Sequence, residues 1–296
     1  MIWYLLMFGL LFVRTAQTIV CKIYNERANE IKCASALFNF ILSVAALVGW
    51  GILYGLTFSF ESSVFWYALL YGFLYFLGTI GFMYALDHGP LFLSNLFVSL
   101  SSIGTVIWGF IFWEEKINFV VISALLLVVL SVFCCLYQKT DNKKTTFSWK
   151  WLFYVLLAFI GNVGLSVLTK EQQLRYNGQH GTMMMFFGMI IVALICGFMF
   201  FKEKKQYQDD RVKVNKTAKK QGVFPLLAGA CNFLYNFVVL VLVTTEISSN
   251  LLFPFLGVGT LIMVTLSSRI LFKEKITVLQ WIGIVAGITA VFLLAL

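Results

Sequence analysis

Apolar residues run in long unbroken blocks along this chain, and short polar connectors separate them. The blocks fall at roughly 2–21, 33–57, 63–86, 90–113, 117–138, 150–169, 181–201, 223–245, 249–272 and 276–296. Each is about 20 residues or more, enough for a helix rising 1.5 Å per residue to cross roughly 30 Å of hydrocarbon. None shows the period-2 alternation that a lipid-facing barrel strand requires, so helices are the expected element. The pattern predicts an all-α membrane protein of ten transmembrane helices. The two longest connectors, 139–149 and 202–222, are polar and Lys-rich. The first block lacks a basic start and carries Arg14 in its middle, so it reads as a retained helix and not a cleaved leader.

Composition agrees with this picture. Of 296 residues, 60% are hydrophobic and 12% charged, against roughly 25% charged in a soluble globular chain. The excess apolar surface needs a solvent other than water, and a bilayer supplies one. The net charge of +9 does not imply nucleic acid as a partner. The basic residues sit in connectors too short to form a binding module and read as topology signals. All six cysteines lie in or at the ends of apolar blocks, where they read as small hydrophobes. No cofactor is expected.

Pro90 and Pro225 stand at helix starts, where a missing N–H costs little. Pro254 lies inside the ninth block. It cannot donate to the carbonyl of Asn250 one turn back, and Gly257 and Gly259 follow closely. Either a kink for helix packing or a broken-helix element lining a cavity fits that pattern.

The chain repeats itself. SNLFVSLSSIGT from Ser94 matches SNLLFPFLGVGT from Ser249, and Glu115–Lys116–Ile117 matches Glu274–Lys275–Ile276. The offsets are 155 and 159 residues. The difference is about one helical turn, which preserves the face. Trp3 to Lys22 aligns without gaps with Trp151 to Lys170. The expected organisation is a first five-helix repeat over 1–138, a connector at 139–149 and a second repeat over 150–296. An odd number of helices per repeat forces the second copy to enter the membrane from the opposite face. The expected fold class is therefore two inverted five-helix repeats.

Ten helices, a five-plus-five repeat and a short Glu-Lys turn between the fourth and fifth helix of each half resemble the drug/metabolite transporter superfamily, EamA-like branch. The resemblance covers essentially the whole chain. It implies alternating access around a central cavity lined by the first four helices of each half, with the fifth packed peripherally. It also implies a small-molecule substrate, since members move amino acids, other metabolites, nucleotide sugars and drugs.

Polar residues deep in a span are the candidate substrate contacts, because placing them there is costly. Arg14 lies near the centre of the first span, where a cation costs roughly 2.5–3.5 kcal/mol on insertion scales. Gln17 follows it, and positions 14, 18 and 22 share one face. The aligned stripe in the sixth span is Asn162, Ser166 and Lys170. The two stripes are expected to face each other across a cavity. For Thr18 and Ser166, interhelical hydrogen bonding is the competing reading. Asn39, Asn95, Asn232, Tyr235, Asn236 and Asn250 complete the set, and Asn95 and Asn250 are repeat mates. His88 and His180 lie at helix ends and read as interfacial.

No Asp or Glu lies in the middle of any span. The nearest are Asp87, Glu171 and Glu246, all at ends. Small multidrug exporters of the resembled superfamily use a membrane-embedded Glu in the first helix, whereas the deep charge here is basic. A basic site suits a carboxylate or phosphate, which Arg grips with a bidentate fork. The expected substrate is an anionic or zwitterionic metabolite such as an amino acid. The alternatives are a multidrug or lipophilic-cation exporter and a lipid-linked substrate flippase. No catalytic constellation is expected, so the chain does not read as an enzyme. Two fused repeats are compatible with a monomer or a homodimer.

Eighteen of the 22 Lys and Arg residues fall in the connectors after the odd-numbered spans or at the span ends that flank them, against three (Lys116, Lys170 and Arg175) on the other side. The positive-inside rule then puts both termini outside, in a multi-pass protein expected at the plasma membrane. The family resemblance implies termini inside; the local charge pattern is the reading adopted.

Overall fold

The structure, a computed structural model, describes residues 2–27, 34–88, 97–116, 118–136, 149–206, 221–245, 247–272 and 277–294. Ten helices follow in chain order: α1 (Ile2–Arg27), α2 (Ala34–Leu56), α3 (Val64–His88), α4 (Ser101–Phe112), α5 (Phe119–Leu136), α6 (Trp149–Arg175), α7 (Gly181–Gln206), α8 (Val223–Leu242), α9 (Ser249–Phe272) and α10 (Val278–Leu294). No strand occurs among the described residues. Each helix falls within or across one of the ten apolar blocks.

By length and apolarity six of them qualify as membrane spans: α1, α2, α6, α7, α8 and α9. The other four correspond to shorter apolar stretches, Val64–Thr79, Phe97–Phe112, Phe119–Cys134 and Val278–Leu294, the second of which begins four residues before α4. The 17 residues of α10 rise only about 26 Å. By contrast α1 and α6, with 26 and 27 residues, exceed the expected blocks. Their last turns carry Arg27 and Arg175, cations where a helix C-terminus favours them. Pro225 sits in the first turn of α8 and Pro254 inside α9. Pro90 and the expected site residue Asn95 lie outside the described residues, as do Glu274 and Lys275 of the second junction.

The described chain divides into two compact units. One comprises Met1–Leu11, Leu74–Glu171 and Thr245–Leu296; the other comprises Phe12–Phe73 and Gln172–Thr244. Each draws on both sides of the 139–149 connector.

In the first unit α5 and α10 lie side by side along their length and both meet α9. Val128 and Val132 of α5, Val258 and Ile262 of α9, and Ile284 and Ala290 of α10 form one buried cluster. In the same unit α3 and α6 approach at backbone distance. A Cβ on Gly161 would lie 2.7 Å from Gly78 Cα and 2.8 Å from the Leu74 carbonyl oxygen. Small residues allow such contact between membrane helices, where packing replaces the hydrophobic effect as the driving force. Gly161→Leu is therefore expected to separate α3 from α6 and cost at least about 3 kcal/mol, the upper range for overpacking. Thermal melting of the detergent-purified variant checks this.

In the second unit α2 packs against α7 and α8. Trp50 of α2 is almost wholly buried and meets Phe233 and Phe237 of α8 edge-on. Tyr54 stacks on Phe186 of α7. Four polar pairs join the α2–α3 stretch to the end of α6 and the start of α7: Thr57 with Thr182, Ser59 with His180, Ser63 with Tyr176, and Tyr67 with Arg175. Their order is antiparallel, so the two stretches run past one another in opposite senses. His180 is thus committed to a hydroxyl at 3.0 Å, which suits the interfacial reading.

Candidate functional site

The second unit brings three expected site residues together. Arg14 and Gln17 stand three residues apart on α1, so their side chains share a face. Arg14 Nη1 donates to Gln17 Oε1 at 2.7 Å. The guanidinium carbon lies 5.1 Å from the ring centroid of Tyr235 on α8. A cation over an aromatic face is attracted by the ring quadrupole, most strongly away from water. The amide on one side and the ring on the other fix the orientation of the guanidinium. Among the described residues no carboxylate pairs with Arg14, and the ion pair they contain lies elsewhere.

One turn beyond Arg14, the Thr18 hydroxyl returns to the Arg14 carbonyl at 3.0 Å. On α8 the Asn236 amide donates to the Asn232 carbonyl at 2.8 Å and to its side-chain oxygen at 3.2 Å. Asn39 of α2 donates to the Ser35 carbonyl. In the first unit Asn162 donates to the Ala158 carbonyl and Ser166 to the Asn162 carbonyl. These bonds all stay within one helix. That is the usual way for a polar side chain to satisfy itself in an apolar setting.

Lys170, four residues beyond Ser166 on α6, has partners outside its own helix. It is 8% exposed, and its ammonium donates to Glu115 Oε1 at 2.7 Å. It also donates to the Ser249 hydroxyl and lies 4.3 Å from the Trp113 ring centroid. Glu115 in turn accepts from the backbone N–H of Ser249 at 3.0 Å and of Asn250 at 3.2 Å. These are the first two residues of α9, whose N–H groups have no partner inside their own helix. The Glu115 carboxylate therefore caps α9 from a different segment, at the positive end of its dipole. Trp113 Nε1 donates to Glu171 Oε2 at 2.9 Å.

Local backbone explains how Glu115 reaches that position. The chain leaves α4 through bonds from the N–H of Trp113 and of Glu115 to the Gly109 carbonyl. Between them Glu114 adopts the left-handed conformation, φ +53°, which reverses direction as at many helix ends. A Cβ on Gly109 would sit 3.2 Å from Glu115 Oε2, so the glycine leaves room for the carboxylate.

Burial pushes the Glu115 carboxyl upward. The Lys170 ammonium, the Ser249 N–H and the Ser249 hydroxyl outweigh that and hold it below its ordinary range. A depressed carboxylate contributes stability that is complete above its unfolded pKa, about 4.3, and is lost as pH falls through the folded value. Melting temperature is therefore expected to owe nothing to this group's titration between pH 6 and 8 and to drop on acidification below about pH 4. Glu115→Gln should remove that acid-side step from a melting-versus-pH profile.

In the sequence the Glu-Lys-Ile junction reads as a mark of the repeat and Lys170 as one of a stripe. Neither reading pairs them. The available signal was the coincidence of three repeated features: the junction glutamate, the lysine ending the Trp151–Lys170 match and the Ser-Asn-Leu start of α9. Asn250, expected at a substrate site, is buried at that same helix start, and its side-chain oxygen has no partner.

An all-helical chain with six apolar spans and buried polar groups at its helix ends is an integral multi-pass membrane protein. Residues 149–296, half of the chain, match the EamA-like transporter family, so the protein belongs to that family, part of the drug/metabolite transporter superfamily. An uncharacterized protein of Haemophilus influenzae is 20% identical over 191 residues, 64% of this chain and 61% of that relative's length. A solved crystal structure matches 98% of this chain and 94% of its own chain at TM-score 0.69. At 12% identity that likeness is one of fold.

Proposed function

We propose that the protein is a secondary transporter moving a small anionic or zwitterionic metabolite, such as an amino acid, by alternating access. The observation that carries this reading is Arg14. Its guanidinium is held between Gln17 and Tyr235 in an apolar helix, and no carboxylate among the described residues pairs with it. A cation kept in a membrane span at a cost of about 2.5–3.5 kcal/mol calls for a function. An oriented guanidinium presents a fork that matches a carboxylate or phosphate.

On this reading Arg14, Gln17 and Tyr235 hold the substrate's anionic group. Thr18, Asn39, Asn95, Asn162, Ser166, Asn236 and Asn250 supply further polar contacts. The halves 1–138 and 150–296 act as inverted repeats, and alternating access is the exchange of their conformations. On this reading the protein works in the plasma membrane with its termini outside, the orientation that the positive-inside count favours.

Thermal-shift screening of the purified protein tests the proposal, with amino acids, nucleotides, phosphorylated metabolites and organic cations as probes. A ligand bound to the folded state raises melting temperature by mass action. Stabilisation by an anionic or zwitterionic compound in the native protein, absent in Arg14→Ala, is the expected result. Stabilisation by lipophilic cations alone, equal in both proteins, would replace this reading with a multidrug one.

A further inference from the structure

We propose that the Glu115–Lys170 pair is a releasable tie that fastens the first turn of α9, and that the tie opens during the transport cycle. Glu115 and Lys170 act here as positioning residues, through the segment they hold. The inference rests on the alternating-access reading, and its test needs no substrate.

The tie joins three separate segments within one compact unit: the α4–α5 connector, the end of α6 and the start of α9. Lys170 on α6 grips Glu115, and Glu115 grips the N–H groups of Ser249 and Asn250. No apolar contact of the same residues could be undone as cleanly. The hydrogen bonds of the pair and of the cap are directional and share one carboxylate, so a displacement of that carboxylate breaks them together.

A break in the helical ladder sets the segment held by the tie apart from the rest of its helix. Pro254 stands four residues after Asn250 inside α9. It provides no N–H for the Asn250 carbonyl, so the helical ladder is interrupted at the end of the first turn. Ser249 to Phe253 thus form a short piece bounded by a cap on one side and a proline break on the other.

The tied arrangement leaves one group unsatisfied. The Asn250 side-chain oxygen is buried without a partner, in a residue 6% exposed. A buried acceptor without a donor is costly. That unpartnered oxygen, one turn from the proline, marks the tied arrangement as locally suboptimal at the segment the tie holds.

The sequence also repeats every member of the tie. Lys22 aligns with Lys170, Ser94 and Asn95 with Ser249 and Asn250, and Glu274 with Glu115. The last three mates lie outside the described residues. The residue types of the tie thus recur at matched positions of both halves, and the tie itself joins one half to the other, the two bodies whose exchange the alternating-access reading invokes.

The depressed Glu115 carboxyl keeps the tie charged at neutral pH, so the opening is not a protonation event there. The N–H groups of Ser249 and Asn250 and the Lys170 ammonium, once released, need water or another anion in its place.

The experiment uses a cysteine-free version of the full chain with Leu251→Cys as reporter, reconstituted in lipid nanodiscs so that both faces meet the reagent. Leu251 lies in the held turn, is buried and takes no part in the tie. A membrane-impermeant maleimide modifies the thiol, and its rate is compared between the tied protein and Glu115→Gln/Lys170→Met. That double variant removes both charges together, which avoids leaving one stranded. All rates are read well below each variant's melting temperature, so global unfolding does not contribute. The expected result is a rate about tenfold higher in the double variant, as when a minor open state rises from about 1% to about 10%. The charge-keeping Lys170→Arg is expected to label at close to the tied rate. Equal rates in the tied protein and the double variant would overturn the proposal. So would a rate in Lys170→Arg as high as in the double variant. Failure of the Arg14 ligand screen would leave either outcome readable, because no substrate enters this measurement.

Discussion

Glu115→Ala is expected to destabilise the protein by about 3–5 kcal/mol, the cost of removing one partner from a buried ion pair. Three losses combine. Lys170, 8% exposed, keeps its charge with only the Ser249 hydroxyl and the Trp113 ring beside it. The N–H groups of Ser249 and Asn250 lose their acceptor. The positive end of the α9 dipole loses its counter-charge. The sign is diagnostic when compared with Glu115→Gln/Lys170→Met. Replacing both members of a buried pair by neutral groups of similar size is often neutral or stabilising. The double variant should therefore melt well above Glu115→Ala. Differential scanning fluorimetry of the variants in one detergent checks the order. Single and double variants melting alike would mean that Lys170 draws its stability from groups other than Glu115.

Arg14→Ala is expected to lower affinity for the anionic substrate about 10–150-fold, the equivalent of one charged hydrogen-bond interaction at about 1.5–3 kcal/mol. Its effect on stability should have the opposite sign to that of Glu115→Ala, or none. Removing a central arginine relieves a span of roughly 2.5–3.5 kcal/mol of insertion cost, which offsets the bond to Gln17 and the contact with Tyr235. A residue whose loss leaves melting unharmed and binding impaired is held for function. Arg14→Lys should behave nearly as badly as alanine in binding. The ammonium keeps the charge and loses the planar fork. Isothermal titration with the compound found by screening separates these variants.

The fold was largely legible because each span announces itself through continuous apolarity. Each of the ten helices among the described residues falls within or across one of the ten blocks, six of them are long and apolar enough to cross a bilayer, and even Pro254 inside α9 could be read from the chain. Boundaries were less legible. Helices α1 and α6 continue six residues past the expected ends, since polar residues in a helix's last turns interrupt hydropathy without interrupting the backbone. The three-residue spacing of Arg14 and Gln17 made their bond readable. The approach of Tyr235 depends on α8 meeting α1, which no local pattern encodes. The Glu115–Lys170 pair was hidden for the same reason: 55 residues separate its members, and each had a local explanation that sufficed. Only the shared recurrence of junction, lysine and Ser-Asn-Leu pointed to one node. Asn39, Asn162 and Ser166 each bond to their own helix, so polarity in a span does not by itself tell a substrate contact from a side chain satisfied locally. An amide or hydroxyl in a span can be satisfied one turn back without any ligand.

Counterflow in proteoliposomes tests the central claim most directly. Vesicles are loaded with a mixture of unlabelled amino acids and phosphorylated metabolites and diluted into trace amounts of one labelled compound at a time. An alternating-access carrier for an anionic or zwitterionic metabolite should accumulate at least one of these labels transiently above equilibrium, and Arg14→Ala should abolish the overshoot. Overshoot for none of them, with exchange seen only for lipophilic cations and unchanged in Arg14→Ala, would contradict the account.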